Sequence, residues 1–383
     1  MKKCLSLLLS AVFCWWAFSA FSAPVSAQPG FTVDAVSAVL MEQETGTVLF
    51  EQNAAEALPP ASVTKIMTLL LVMEAIDAGK VALTDNVSIS ENAASMGGSQ
   101  VYLEAGELFT VEELIKCAVI ASANDASVAL AEFVSGSEEA FVEEMNARAA
   151  ALGMTSTHFE NVTGLDDTTT NHVTSAMDIA VMSRLLIAHP LILQYSCIWM
   201  DSIRDGAFIL TNTNRLVRFY EGANGLKTGS TAKAKFCISA TAERDGMTLI
   251  AVIMASPSRD IRNNEARKLL DWGFANYALY RDEGGELGEI RVLGGLQDRC
   301  QVGFDGFCAL VKKSEKNTVT KLVNLPEYAA APIKKGEQVG TITYRIGEQT
   351  IGIADIQSSE AVEKISFWQL FGRMLQSFLH PSY

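Results

Sequence analysis

Ser62 and Lys65 stand three residues apart at the start of the apolar segment "PPASVTKIMTLL". Side chains three positions apart on a helix share a face, so we expect the lysine amine beside the serine hydroxyl. A hydroxyl attacks a carbonyl only if a base takes its proton, and an uncharged lysine can be that base. Bringing the lysine pKa from its usual value to near 7 requires roughly 4 kcal/mol from burial and a neighbouring cation. The pair therefore predicts a nucleophile and its base at a buried helix start.

Two further motifs place polar side chains at the edges of apolar elements. Ser122-Ala123-Asn124 interrupts "CAVIASANDASVALA", where its polar groups would destabilise a core unless they were hydrogen-bonded. Lys227-Thr228-Gly229 opens an apolar hairpin, and glycine there lets another group approach the strand backbone closely. Each pattern is weak alone, because Ser230-Thr231-Ala232-Lys233 and Ser90-Glu91-Asn92 repeat the first two. Order, spacing and setting together predict one site, in which Lys227 supplies the cation that lowers the pKa of Lys65.

The elements that must position these motifs are strands at both ends of residues 28–283, with helices between them. "VSAVLMEQETGTVLF" predicts two strands around a turn at residues 44–46, and "KFCISATAERDGMTLIAVIMAS" predicts a hairpin at Asp245-Gly246. Residues 85–205 are predicted to be mostly helical, with "TVEELIKCAVIASANDASVALAEFV" starting at Thr110 as N-cap, and "NNEARKLLDWGFANYAL" predicts a closing helix. We expect the two ends to pair into one antiparallel sheet with an inserted helical subdomain, an α/β (α+β) fold.

After residue 283 the composition of the chain changes. Short segments such as "GEIRVLGG" and "QVGTITYRI" between Gly, Pro and Asp turns predict a small all-β domain at residues 284–358. Residues 360–383 contain "SFWQLFGRMLQSFL", in which the large apolar side chains cover about half of a helix circumference. This amphipathic helix is about 20 Å long, too short to span a bilayer but suited to lying in its surface. The alternative is an ordinary helix docked on the β domain.

Residues 1–27 have the order typical of a secretory signal peptide: Lys2 and Lys3, an apolar run, and small residues ending at Ala27. Cleavage after Ala23 is an alternative. A membrane-spanning anchor is disfavoured, because the apolar core is shorter than the roughly 20 residues that a span needs. The net charge of −14 argues against nucleic acid as a partner and against electrostatic attraction to anionic lipid.

Five of the seven cysteines follow the predicted signal peptide, and this odd number predicts no disulfide framework. No CxxC pattern or histidine pair predicts a metal site. Cys117 and Cys237 lie in apolar periodic segments and are expected to be buried thiols. Cys300 and Cys308 could pair across a hairpin, and their spacing leaves that open.

The three motifs, in this order, resemble those of the penicillin-recognising serine acyl-transferases, the penicillin-binding proteins and serine β-lactamases. Flanking segments such as "IASANDASVALAE" and "GLKTGSTAKAKFCISATAERDGMTLIAVI" are similar to the D-alanyl-D-alanine carboxypeptidases, low-molecular-mass penicillin-binding proteins of the S11 type. They resemble in particular the sporulation-associated type of Gram-positive bacteria. The similarity runs from about residue 32 to the C-terminus. It implies the β-lactamase and penicillin-binding transpeptidase-like fold, followed by the small β domain and a terminal helix that lies on the membrane.

The resemblance assigns a role to each matched residue. The implied set is catalytic Ser62, Lys65 and Ser122, with substrate-binding Asn124, Lys227, Thr228, Gly229 and Ser230. Ser62 would form an acyl-enzyme with Lys65 as its base, and Ser122 would pass a proton to the leaving D-alanine.

The substrate-binding residues would hold the two ends of the scissile peptide. Asn124 would hold the substrate amide, and Lys227 and Thr228 would bind the terminal carboxylate. The backbone N–H groups of Ser62 and Ser230 would form the oxyanion hole. Ser230 departs from those relatives that carry histidine after K-T-G, so the pH dependence and substrate preference of those relatives should not be transferred. His172 matches a loop histidine of the family, and a purely structural role is the alternative.

The implied activity is removal of the terminal D-alanine from peptidoglycan stem pentapeptides, without a metal or cofactor, in cell-wall maturation such as that of the spore cortex. β-Lactams would be covalent inhibitors. The protein would be exported and peripheral, at the outer face of the cytoplasmic membrane. A class A β-lactamase is disfavoured, because "HFENVTGLDDTTTNH" lacks an E-x-x-L-N pattern. A silent wall-binding protein is disfavoured because every matched residue is present.

Overall fold

The computed structural model describes residues 32–379, and the predicted signal peptide lies outside them. The strands up to residue 256 are β1 (Ser37–Glu42), β2 (Val48–Gln52), β3 (Asn86–Ser88), β4 (Leu108–Thr110), β5 (Met200–Ile203), β6 (Phe208–Thr211), β7 (Ala223–Thr231), β8 (Lys235–Arg244) and β9 (Met247–Ser256). The α-helices up to residue 276 are α1 (Lys65–Asp77), α2 (Glu91–Ala94), α3 (Val111–Ile120), α4 (Asn124–Ser135), α5 (Glu138–Ala151), α6 (Ala176–Leu186), α7 (Pro190–Ser196), α8 (Leu216–Phe219) and α9 (Arg259–Asn276).

One antiparallel sheet joins the two ends of this region, in the order β2-β1-β9-β8-β7. Ser37 of β1 lies opposite Met254 of β9, so the first and last hairpins pair directly. The β8–β9 turn has positive φ at both Asp245 and Gly246, 51° and 72°, as a type I′ turn requires. The predicted hairpins and the antiparallel sheet are confirmed, with β7 at one edge.

Alternate residues of β9 serve two cores, one on each face of the sheet. Leu249, Ala251 and Ile253 pack with the apolar face of α9. The neighbouring residues Ile250 and Val252 pack into the core formed with the helical subdomain. Because both faces are covered, β9 is apolar almost throughout, which explains why its sequence shows a continuous apolar run.

The helical subdomain departs from the sequence prediction at one position. The helix that begins at Thr110 has the expected cap, a capping box in which Thr110 and Glu113 satisfy each other's backbone N–H groups. It ends at Ile120, however, and α4 begins only at Asn124. Ser122 between them has φ of 63°, a left-handed conformation that a right-handed helix cannot contain. The prediction of one helical segment through residues 110–134 was therefore wrong.

The C-terminal part is built mainly from strands. In chain order these are β10 (Tyr277–Asp282), β11 (Gly285–Leu293), β12 (Arg299–Phe304), β13 (Phe307–Lys312), β14 (Val319–Asn324), β15 (Tyr328–Ala330), β16 (Gln338–Ile346) and β17 (Gln349–Ser358), and helix α10 (Phe367–Leu379) follows them. Six of them form a sheet in the order β14-β16-β17-β12-β11-β15, and β10 pairs with β13. The closing helix predicted at residues 263–279 was shifted: α9 starts at Arg259 and ends at Asn276, where β10 begins. The division at residue 283 remains a prediction.

The cysteines among the described residues are free thiols. Cys117 and Cys237 are buried as expected. Cys300 and Cys308 do not pair across a hairpin, because β12 and β13 belong to different sheets.

No single helix within residues 32–379 is long and apolar enough to cross a membrane. Helices α6 and α7, bent by 106° at their junction, meet that criterion only as a pair and only by length and composition.

Candidate active site

The candidate nucleophile lies in a tight turn that enters α1. Ser62 belongs to a 3-10 turn, Ala61–Thr64, and Lys65 is the first residue of the α-helix. Side chains three apart in 3-10 geometry eclipse each other, which places Nζ of Lys65 3.1 Å from Oγ of Ser62. The two predicted residues are therefore neighbours, but on a 3-10 turn instead of an α-helical one.

The amine of Lys65 has three oxygen neighbours. Besides Ser62 Oγ, they are Asn124 Oδ1 at 2.6 Å and the backbone carbonyl of Thr163 at 2.9 Å. The last two oxygens can only accept hydrogen bonds, because Asn124 uses its Nδ2 to donate to the carbonyl of Gly97. A neutral amine has two N–H groups and one lone pair. If the two carbonyl oxygens take the N–H groups, the lone pair faces Ser62 Oγ.

The surroundings of Lys65 favour this neutral form. Its side chain is fully buried, and burial holds its pKa well below the usual lysine range. The charge of Lys227 lowers the pKa further, and the buried carboxylate of Asp125 opposes the shift. Asp125 accepts hydrogen bonds from the N–H groups of Val101 and Leu103, which partly satisfies its charge. Lys65 is therefore suited to accept a proton from Ser62.

Ser122 and Lys227 form a second hydroxyl–amine pair in the same cleft. Nζ of Lys227 lies 2.7 Å from Oγ of Ser122 and 3.1 Å from the carbonyl of Thr228. Lys227 is also fully buried, and burial together with the charge of Arg262 lowers its pKa to about 7. Ser122 lies between α3 and α4, and its left-handed backbone directs the hydroxyl away from the path of a continuous helix. Backbone strain of this kind concentrates at functional sites.

The edge strand β7 forms one wall of the cleft and packs closely on the nucleophile turn. A Cβ at Gly229 would lie 2.7 Å from the carbonyl oxygen of Pro60 and 2.9 Å from the backbone nitrogen of Ser62. Only glycine permits this approach. Thr228 bonds the hydroxyl of Thr213 at 2.8 Å, and Ser230 is exposed at the mouth. The structure thus brings all the predicted site residues to one place, and the cleft is lined by Ser62, Ser99, Ser122, Thr213, Thr228, Gly229, Ser230, Arg259 and Arg262.

The loop that carries Thr163 is fixed by a second glycine contact. Gly164 has φ of 81°, and a Cβ there would lie 1.8 Å from the carbonyl oxygen of Ala61. The side chain of Asn161 accepts the N–H of Gly164 at 2.7 Å. These contacts hold the carbonyl of Thr163 against Lys65.

His172 is buried and contacts the turn that carries Ser62 through Thr64. Its Nδ1 accepts the N–H of Glu160 at 3.0 Å, so Nε2 carries the proton and donates to Oγ1 of Thr64 at 2.8 Å. Burial lowers the pKa of His172 to about 4, so the ring is neutral at pH 7. With no bond to Ser62 or Lys65 among its contacts, the structural alternative for this histidine is favoured.

Sequence reasoning missed several contributors to the cleft, among them the carbonyl of Thr163, the hydroxyl of Thr213 and the guanidinium of Arg262. Arg262 is almost fully buried, bonding Asn263 and the carbonyl of Cys237. Arg262 precedes the helix predicted at residues 263–279, so the sequence pattern gave no signal for its burial. Within residues 32–379 no group of three or more His, Cys, Asp or Glu side chains could hold a metal ion.

A serine beside a buried lysine, a second serine–lysine pair, and a five-stranded antiparallel sheet with a helical subdomain are typical of the penicillin-recognising serine acyl-transferases. The chain belongs to the D-alanyl-D-alanine carboxypeptidase family, peptidase S11, whose sequence profile matches residues 22–258. Residues 277–364 match the C-terminal domain of penicillin-binding protein 5. The predicted family is confirmed.

Individual relatives agree with the family match. The D-alanyl-D-alanine carboxypeptidase DacF of Bacillus subtilis is 41% identical over 377 residues, 96% of each chain. The crystal structure of penicillin binding protein 5 from Haemophilus influenzae is similar with a TM-score of 0.77 and 30% identity, over 88% of this chain and all of that one. Penicillin-binding protein D2 from Listeria monocytogenes, solved in an ampicillin-bound form, has a TM-score of 0.59 and 31% identity over 64% of this chain and all of that one.

Replacement of Gly164 by alanine should destabilise the protein and lower acylation together. The left-handed backbone costs an L-residue about 1–2 kcal/mol, and the overlap of the new Cβ with Ala61 adds a comparable amount. Urea unfolding measures the decrease in the free energy of unfolding, which is expected to be about 3 kcal/mol. Gly153→Ala is the matched control, because Gly153 has φ of 71° but nothing within 4 Å of its Cβ position. Equal losses in the two variants would contradict the close approach.

Lys227→Gln should move the rising limb of the acylation pH profile to higher pH. Acylation needs neutral Lys65, so its rate rises with pH through the pKa of that lysine. Removing the charge of Lys227 raises this pKa, because that charge is one of the causes that lower it. The measurement is the second-order rate of penicillin acylation against pH, read as the position of the limb and not its height. Lys233→Gln should leave the limb in place, and an unmoved limb in Lys227→Gln would show that the two amines do not interact.

Proposed function

We propose that this protein removes the terminal D-alanine from peptidoglycan stem pentapeptides through an acyl-enzyme on Ser62. The observation that carries the proposal is the environment of Lys65, a fully buried amine that lies 3.1 Å from Ser62 Oγ and also contacts two oxygens that can only accept hydrogen bonds. Family membership supports the substrate class. The proposed setting is cell-wall maturation, including the spore cortex, by resemblance to the sporulation-associated branch.

In the acylation step Lys65 takes the proton of Ser62, and Oγ attacks the carbonyl of the penultimate D-alanine. The backbone N–H groups of Ser62 and Ser230 stabilise the oxyanion. The proton reaches the leaving amine through Ser122, whose hydroxyl lies 2.7 Å from Lys227. Water then hydrolyses the ester by the same groups.

The carboxylate end of the substrate is held by groups from β7 and α9. Thr228 and Arg262 line the cleft, and Lys227 lies beside them, with its Nζ 3.1 Å from the carbonyl of Thr228. Together these residues present a hydroxyl, the amine of Lys227 and the cationic guanidinium of Arg262 to the terminal carboxylate. Hydrogen bonds between charged partners are stronger than those to a neutral group, so a free carboxylate is preferred at this end.

The amide of the substrate is held by Asn124. This side chain already bonds Lys65 and Gly97, and its remaining N–H and lone pair are available to the substrate amide. Asn124 therefore orients the substrate amide, while the groups of β7 and α9 hold its free carboxylate.

β-Lactam antibiotics are the proposed covalent inhibitors, since they present a carboxylate and a reactive amide to the same groups. The similar Listeria protein was solved with ampicillin bound. The β-lactamase alternative is not favoured. Glu160, the glutamate in the relevant loop, is occupied by hydrogen bonds from the backbone N–H groups of Thr170 and Asn171, at 2.9 and 3.0 Å.

Ser62→Ala should abolish both D-alanine release and covalent labelling. Loss of the nucleophile is expected to lower release from diacetyl-L-Lys-D-Ala-D-Ala by about 10³-fold or more. Intact-protein mass spectrometry after penicillin should show one adduct on the parent protein and none on the variant. Ser88→Ala, at an exposed serine of β3, is the control and should keep the adduct. Release at the parental rate by Ser62→Ala would refute the mechanism, whereas no release by the parent protein would favour the silent wall-binding alternative.

We also propose that the protein is exported and lies on the outer face of the cytoplasmic membrane through α10. Large apolar side chains of this helix are exposed, among them Phe367 at 71% and Trp368 at 76%. Arg373, on the polar side of the helix, donates hydrogen bonds to Asp298 and to the carbonyl of Leu296 in the β domain. These bonds hold the polar side of the helix against that domain. Burial of this apolar side in the lipid interface would supply the binding energy.

Deleting residues 366–383 should release the protein from membranes. The cut must fall after Ile365, because Val362 is fully buried in the core of the β domain and Ile365 donates a backbone hydrogen bond to Gly294. Flotation with zwitterionic vesicles measures the effect, since an acidic protein that binds by apolar burial needs no anionic lipid. Trp368→Glu in the full chain is the matched variant and should weaken binding with the β domain intact. Retention of the truncated chain on vesicles would contradict this placement.

A further inference from the structure

The mouth of the cleft has a charge opposite to that of the protein. The chain carries a net charge of −14. Two of the residues that line the cleft, Arg259 and Arg262, are cationic, and none of the lining residues is acidic. A uniformly acidic surface would repel a peptide that ends in a carboxylate, so this local reversal of sign needs a reason.

The two arginines differ in what holds them. Arg262 is buried, and its guanidinium bonds Asn263 and the carbonyl of Cys237. Arg259, one helical turn earlier, is exposed, and among the described residues it makes no side-chain hydrogen bond or salt bridge. Its position at the mouth is therefore not explained by a partner within the protein.

Helix stability does not explain the position of Arg259 either. Arg259 and Arg262 both lie in the first turn of α9, where the partial positive charge of the helix end disfavours cations. Asp260 is the acidic residue in that turn. A second exposed arginine, Arg215, lies two residues after the cleft residue Thr213 and interacts electrostatically with Arg262.

We propose that Arg259, assisted by Arg215, is a specificity residue that attracts the anionic C-terminus of the incoming peptide and delivers it to Thr228 and Arg262. This deepens the proposed carboxypeptidase function and rests on it. Arg259 acts on capture, before the chemical step, so its contribution belongs to the rate of productive binding. It selects chains that end in a free carboxylate over chains whose end is blocked.

The action of such a charge depends on ionic strength. The Debye length is about 10 Å at 0.1 M salt and about 3 Å at 1 M. At low salt the exposed guanidinium acts on a carboxylate that is still outside the cleft, and at high salt it does not. The value of kcat/KM should therefore fall with added salt, whereas kcat at saturation should not.

The experiment compares Arg259→Gln with Arg291→Gln, which removes the same charge from an exposed position on β11 in the β domain. The substrate is diacetyl-L-Lys-D-Ala-D-Ala, and kcat and KM are measured from about 0.02 to 0.5 M sodium chloride. Arg259→Gln should lower kcat/KM about threefold to tenfold at low salt through KM, keep kcat, and converge with the parent at high salt. Arg291→Gln should follow the parent throughout, and Arg259→Glu should fall further than Arg259→Gln.

Equal salt dependence in the parent and Arg259→Gln would overturn the proposal, as would an equal effect of Arg291→Gln. A loss of kcat that persists at high salt would also overturn it, because that result indicates a structural role for Arg259. These outcomes are distinct from failure of the proposed function, which would appear as absence of D-alanine release by the parent protein at every salt concentration.

Discussion

Lys65 and Lys227 place two amines of like charge in the interior of the fold, and the rest of the site depends on how that burial is tolerated. An isolated buried ammonium is strongly disfavoured, so each amine is displaced towards its neutral form. The partners supplied to both are carbonyl and hydroxyl oxygens instead of carboxylates. A directly bonded carboxylate would stabilise the charged amine and remove its basicity. The carboxylate of Asp125 lies nearby, but the hydrogen bonds that it accepts from two backbone N–H groups weaken its stabilisation of the charged amine.

This constraint explains why the site requires parts from distant elements held at close range. The acceptors of Lys65 come from α4 and from the loop at Thr163, and the second amine comes from β7. Glycine at two points allows these parts to touch the nucleophile turn: Gly164 packs on Ala61, and Gly229 packs on Pro60 and Ser62. Both contacts are backbone against backbone, so neither can be adjusted by a change of side-chain rotamer. The geometry of the amines is therefore set by the packing of the sheet against the helical subdomain.

The sequence was sufficient for the grouping of the motifs, both hairpins of the main sheet and the cap at Thr110, because each has a local signature. It was insufficient where the signature is ambiguous or absent. Ser122 adopts a left-handed conformation without the glycine that usually marks one. Tyr277 continues an apolar pattern that fits a helix, yet it begins strand β10 and pairs there with Lys312 of β13. The carbonyl of Thr163 could not be found, because a backbone acceptor leaves no trace in residue type.

The pairing of β1 with β9 has a consequence for the assembly of the protein. Ser37 and Met254 are neighbours in the sheet although more than two hundred residues of chain separate them. Contacts of such sequence separation form slowly, because a long loop must close before they stabilise anything. The main sheet stays incomplete while the last hairpin is still being synthesised, and Lys227 reaches its neighbours only with that hairpin. A partly made chain therefore carries the serine and Lys65 without the charge of Lys227 that helps to lower the pKa of this base, and the site is complete only when the sheet is.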